Sequence, residues 1–160
     1  MRQILRGGKI ITPSGVHSGY GLVIREGKIS AVQPEKDLDQ KPSDQIYELN
    51  GKWIAPGMID LHVHGGLGAD TMDCSQEAWD RISRFFASRG VTSFLLTTGA
   101  ASREAIDEVI ETFQGYHPPQ DGALPLGIHL EGPYLSPQKK GVQPEEHLRN
   151  PDPGEYLPWF

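Results

Sequence analysis

The segment IAPGMIDLHVHGG, residues 54–66, places Asp60, His62 and His64 at every second position of an otherwise apolar run. A period of two is that of a β-strand, whose successive side chains point to opposite faces. The spacing predicts a strand with the carboxylate and both imidazoles on one face and Ile59, Leu61 and Val63 on the other. A strand inside an open parallel sheet lies between helices and is apolar on both faces. A single polar face fits instead the interior of a barrel near its catalytic mouth, which helices do not cover.

The rest of the chain after Pro56 supports a parallel sheet. SQEAWDRISRFFASRG carries Trp79, Ile82, Phe85 and Phe86 at helical spacing, with Ser75 placed to cap the start and Gly90 to end it. VTSFLLTT reads as a buried strand. SREAIDEVIETFQG predicts a second helix, capped by Ser102, with Ile106, Val109, Ile110 and Phe113 inward and Gly115 as the stop. LPLGIHLEG is a third strand, with Leu126, Ile128 and Leu130 on one face and His129 and Glu131 on the other. Strands alternating with single amphipathic helices predict right-handed crossovers and a parallel sheet, open or closed into a barrel.

The first fifty residues have a different grammar. Short runs rich in β-branched and aromatic residues are punctuated by Gly, Pro and Asn, which is the pattern of strands and hairpins. Glu26-Gly27 and Asn50-Gly51 are placed as tight turns, and QPEKDLDQKPSDQ reads as a surface loop. Nothing here has catalytic spacing.

Composition excludes several classes of function. With 160 residues, net charge −6 and 37% hydrophobic residues, the chain reads as a globular protein. No apolar run approaches the roughly 18 residues of a membrane span, and MRQILRGGKI lacks the apolar stretch of a signal peptide, so no membrane and a cytoplasmic location are expected. No basic cluster exceeds Lys139-Lys140, which argues against nucleic acid. Cys74 is the only cysteine, so no internal disulfide forms, and its setting reads as a bystander.

Two neutral imidazoles and a carboxylate are a ligand set suited to a borderline divalent ion such as zinc or ferrous iron. A lone His-x-His arises often by chance. Pro-Gly before it, Gly-Gly after it and Glu131 at the end of a later strand make His62, His64 and Glu131 the candidate metal ligands. His129, on the same face but one layer deeper, reads as a hydrogen-bonded core residue. Thr97 and Thr98 end the second strand, where lining the mouth is one reading and packing the simpler one; His17 reads as an exposed loop histidine, and His117 and His147 as solvent-facing.

Pro56 to His64, with the pattern Pro-Gly-x-x-Asp-x-His-x-His, resembles the first barrel strand of the amidohydrolase superfamily. LGIHLEGPYLSPQKKGVQPEEHLRNP, residues 126–151, more narrowly resembles the N-acetylglucosamine-6-phosphate deacetylase family. The resemblance implies an α/β fold: the N-terminal part of a metal-dependent (β/α)8 amidohydrolase barrel preceded by a small β-sandwich module. Residues 1–53 would form that module and 54–160 the first three β/α units of a truncated TIM-type barrel, which takes about 250 residues when closed.

The same resemblance implies hydrolysis of the N-acetyl group of N-acetylglucosamine 6-phosphate, one or two zinc or iron ions per complete subunit, and a homodimer at full length. Glu131 would hold the catalytic ion, His62 and His64 a second one, and Asp60 would orient the site. Val142 and Gln143 fall in the segment whose backbone contacts the sugar, although Gln143 stands where many relatives carry histidine. The acid–base aspartate is expected after Phe160, so this chain alone is expected to be an inactive N-terminal part. Two alternatives stay open: a dihydroorotase-like enzyme acting on cyclic amides, and a non-catalytic metal-binding half-barrel.

Overall fold

The computed structural model describes residues 1–160. The chain divides into two compact units, Met1–Pro56 and Gly57–Phe160.

The first unit is built of strands, β1 (Arg2–Arg6), β2 (Lys9–Thr12), β3 (Gly15–Ser18), β4 (Tyr20–Arg25), β5 (Lys28–Pro34), β6 (Gln45–Glu48) and β7 (Trp53–Ile54), with one 3-10 turn at Glu35–Asp37. They form a four-stranded sheet, β5-β4-β1-β6, and a three-stranded sheet, β3-β2-β7. Ile4, Ile10, Leu22 and Val23 are the buried residues that hold it together. Glu26 and Gly27 both take positive φ, 51° and 74°, the mirror-turn geometry that matches the twist of a two-residue hairpin between β4 and β5. Asn50 and Gly51 turn in the same way, but β6 and β7 on either side belong to different sheets. His17 sits on β3, where Nε2 lies 2.9 Å from the Thr12 hydroxyl, rather than in a loop.

The second unit runs β8 (Met58–Val63), β9 (Gly65–Gly66), β10 (Ala69–Asp70), α1 (Gln76–Ser88), β11 (Val91–Thr98), α2 (Arg103–Gly115), β12 (Leu124–Leu130) and a short α3 (Pro153–Tyr156). Its main sheet has the order β12-β11-β8, with both pairings parallel. Both long helices start where a serine accepts an N–H of the first turn: Ser75 from Ala78 and Ser102 from Ala105. Gly90 ends α1 at φ 84°, whereas α2 includes Gly115 and ends on extended Tyr116. The amphipathic helices bury Trp79, Ile82, Ile106 and Val109 completely, and Trp79, Ile82 and Val109 share a core with Phe94 and Leu96 of the central strand.

The alternation expected for the two outer strands is broken by bulges. Between Phe94 and Leu96 of β11, the partner residues on β8 advance from Asp60 to Val63, so β8 carries one residue more. Val63 is therefore buried at 3% exposure, but Ile59 and Leu61, expected on its face, are 60% and 62% exposed. On β12 the register slips likewise between Pro125 and Gly127, and Leu126 is exposed while Ile128 packs on the core. A bulge inserts a residue without a partner and resets the parity of everything beyond it. Simple alternation holds only from the bulges to the strand ends.

Candidate metal centre

The bulge on β8 is stabilised from within. Oδ1 of Asp60 accepts the backbone N–H of His62 at 3.1 Å, a local Asx-type contact within the bulged stretch. Past it, β8 delivers His62 and then His64 to its C-terminal end, and β12 delivers Glu131 just beyond Leu130. The two strands are not neighbours; β11 lies between them. Their side chains meet nevertheless. Nε2 of His62 and His64 are 3.1 Å apart, and Oε2 of Glu131 lies 2.7 Å from Nε2 of His64 and 3.3 Å from Nε2 of His62.

Two of the three separations, 3.1 and 3.3 Å, fit a shared ion, and the 2.7 Å between His64 and Glu131 is that of a hydrogen bond. Donors about 2.1 Å from a divalent ion, at tetrahedral or octahedral angles, lie roughly 3.0–3.4 Å from one another. Held by hydrogen bonds alone, at least one ring must carry its proton on Nε2, whereas an ion engages all three lone pairs together. The three donor atoms form one cluster within 4.8 Å, and the side chains remain 31–50% exposed, open to an incoming ligand. His129 stands beside the trio without joining it. Its ring meets that of His62 edge-on at 5.0 Å, and its Nδ1 lies 3.3 Å from the Thr97 hydroxyl.

The backbone that presents the histidines is held on several sides. The Thr97 hydroxyl accepts the N–H of Val63 at 2.8 Å, and the Thr71 hydroxyl donates to the carbonyl of Val63 at 3.2 Å. The N–H of Thr71 donates to the carbonyl of His64 at 2.6 Å, and the Trp79 indole donates to the Thr71 carbonyl at 3.0 Å. Thr71 and Thr97 are fully buried. The sequence does not single out Thr71, which opens a 3-10 turn, Thr71–Asp73, with no periodicity around it; a threonine shortly after the His-x-His-Gly-Gly turn is its only signal. The two glycines of that turn answer a packing demand: a Cβ on Gly65 would run into the Ala69 carbonyl as β9 pairs with β10.

Val142 and Gln143 go different ways. Val142 is 98% exposed, while Gln143 is turned inward, its side-chain oxygen accepting the N–H of Ala100 at 2.8 Å. Gln143 thus ties the loop after β12 to the loop after β11, and Lys140 Nζ donates to the Gln143 carbonyl at 3.1 Å. Arg149 makes the second tie, donating to the carbonyls of Ala101 and His147 and, through Nε, to both oxygens of Glu155 at 3.0 Å. Arg149 holds the buried Glu155 carboxyl below the ordinary carboxylate range, and burial next to Glu155 pushes the Tyr134 hydroxyl up to about 12. Burial pushes the Cys74 thiol up to about 11, which disfavours the thiolate.

A parallel α/β sheet that gathers two imidazoles and a carboxylate at strand C-termini places the chain among α/β proteins whose site suits a divalent ion. Residues 53–157 match the model of the amidohydrolase family, and the chain belongs to that family. It is 36% identical over 160 aligned residues to N-acetylglucosamine-6-phosphate deacetylase of Bacillus subtilis, covering 94% of this chain and 39% of that protein. It is 34% identical to N-acetylgalactosamine-6-phosphate deacetylase of Escherichia coli O157:H7, covering 93% and 38%. The crystal structure of N-acetylglucosamine-6-phosphate deacetylase from Pasteurella multocida superposes with a TM-score of 0.87 at 30% identity, covering 98% of this chain and 41% of that one. The chain thus spans about two fifths of the length of these relatives.

Proposed function

We propose that this chain contributes the metal-binding strand ends of an enzyme that hydrolyses the N-acetyl group of N-acetylglucosamine 6-phosphate to glucosamine 6-phosphate and acetate. The observation that carries the reading is the convergence of His62, His64 and Glu131 from two non-adjacent strands to within 3.3 Å. The deacetylases of Bacillus subtilis and Pasteurella multocida support the choice of substrate. In this reading β8, β11 and β12 are the first three strands of a (β/α)8 barrel, residues 54–160, and residues 1–53 are a β-sandwich module. The complete enzyme is a cytoplasmic homodimer.

His62, His64 and Glu131 hold one or two ions, zinc or iron. A divalent ion there supplies Lewis acidity toward the amide carbonyl and lowers the pKa of a water toward about 7. Glu131 provides negative charge and both histidines neutral donors, so the set binds a dication without full neutralisation. Asp60 orients His62 through its backbone, and the backbone of Val142 and Gln143 positions the sugar. The Gln143 side chain acts by bracing that loop against Ala100. Proton delivery to the leaving amine is assigned to none of these 160 residues.

The test is acetate release by the intact encoded protein from N-acetylglucosamine 6-phosphate, with N-acetylgalactosamine 6-phosphate and a dihydropyrimidine ring as rival substrates. The reading expects the gluco sugar to be preferred, activity to vanish on chelation and return with metal, and Glu131→Gln to lose most of the activity. Preference for the galacto sugar would move the assignment to the relative of that name, and ring opening without deacetylation would overturn it.

A further inference from the structure

We propose that Thr97 is a positioning residue for the metal centre, setting His62 on β8 and His64 just past its end through a single buried hydroxyl. The inference rests on the reading of His62, His64 and Glu131 as ligands of a divalent ion. Thr97 lies on the central strand, between the two strands that supply those ligands, and is fully buried. Its oxygen accepts the N–H of Val63, the residue between His62 and His64, at the point where the β8 register has slipped. A side chain of the central strand thus holds the β8 backbone at the slip.

A hydroxyl has one proton to give, and two groups stand near it: Nδ1 of His129 at 3.3 Å, an acceptor in the tautomer protonated on Nε2, and the Leu95 carbonyl at 3.5 Å. Donation to His129 leaves the proton of a neutral imidazole on Nε2 and fixes the plane of the ring that meets His62 edge-on at 5.0 Å. Thr97 thereby constrains the two ligands by separate routes, His64 and His62 through the backbone and His62 again through the His129 ring. Burial alone does not call for a hydroxyl here. Thr98, next along the strand and equally buried, has a hydroxyl with no partner at all. Partners that orient metal ligands in this manner typically change metal affinity by roughly 10- to 100-fold when removed.

The experiment uses the intact encoded protein as wild type, Thr97→Val and Thr97→Ser. Zn²⁺ affinity is read by competition with a chromophoric chelator, and ligand geometry by the visible absorption of the Co²⁺-loaded protein. Thr97→Val keeps the volume and removes the hydroxyl; it is expected to bind Zn²⁺ roughly 10- to 100-fold more weakly and to alter the Co²⁺ bands. Thr97→Ser is expected to recover affinity to within a few-fold of wild type. Thr97→Val with wild-type affinity and spectrum, even at a lowered melting temperature, would show a structural role only and overturn the proposal, as would failure of serine to rescue. Should Thr97→Val not fold, His129→Phe keeps a ring against His62 but removes the acceptor, and unchanged affinity in that variant overturns the link. A wild-type protein that binds neither ion sinks the metal-centre reading itself, a result distinct from any of these.

Discussion

At Thr98 the structure contains a polar atom without a partner: the hydroxyl is fully buried and bonded to nothing, one residue after the busy hydroxyl of Thr97. An orphaned buried hydroxyl costs free energy that an isosteric methyl does not. Thr98→Val is therefore expected to leave the fold unchanged and raise stability by up to about 1 kcal/mol, measured by urea unfolding. A loss of more than that would mean the hydroxyl has a partner in solution. The contrast also marks what single letters disclose. His62, His64 and Glu131 stand out because imidazoles and a carboxylate at apolar strand ends have few uses other than chemistry. Two adjacent threonines look alike in a sequence, and only the slip of a neighbouring strand makes one of them a hydrogen-bonding hub.

Among the elements, the strand-helix alternation after Pro56 was legible almost to the residue. Helical spacing, serine caps and apolar runs are local properties, and α1, β11 and α2 depend on nothing else. The bulges in β8 and β12 were not legible, because a register shift belongs to a pair of strands and not to either one. Its consequence is the exposure of Ile59, Leu61 and Leu126, three residues that alternation places with Val63 and Ile128. The β9–β10 turn shows the same dependence on a partner. Gly65 is needed only because the Ala69 carbonyl approaches its α-carbon. Gly65→Ala is expected to cost about 2 kcal/mol by forcing the two short strands apart. The shift would disturb the Thr71 contacts to Val63 and His64, so loss of Zn²⁺ affinity should accompany the lowered melting temperature. Alanine accepted without effect would show that the turn is looser than the close approach implies.

On the scale of the whole second unit, what joins the loops after β11 and β12 is polar. Arg149 bridges Ala101, His147 and Glu155, and Gln143 bridges to Ala100. Such long-range ties cannot be read from spacing, since Arg149 and Ala101 are separated by a helix and a strand. Glu155 has a carboxyl held below its ordinary value by Arg149, so its contribution to stability is complete above the unfolded value of about 4.3 and is lost as pH falls through the lower folded value. Melting temperature should fall as pH drops from about 5 toward 2, and less steeply in Glu155→Gln. Equal slopes would show the pair contributes nothing to acid stability. Arg149→Met, which leaves Glu155 buried without its partner, is expected to cost about 2 kcal/mol at neutral pH, less than a fully buried pair because the guanidinium remains 30% exposed.

X-ray absorption at the metal edge of the zinc- or iron-loaded intact protein reports most directly on whether two strands of this chain meet on one cation. Nitrogen and oxygen neighbours at about 2.0–2.2 Å are expected, with the outer-shell scattering of imidazole rings reduced in His62→Ala and again in His62→Ala/His64→Ala. A spectrum unchanged by loss of both histidines would place the ion elsewhere and remove the chemical ground for a metal-dependent amide hydrolase.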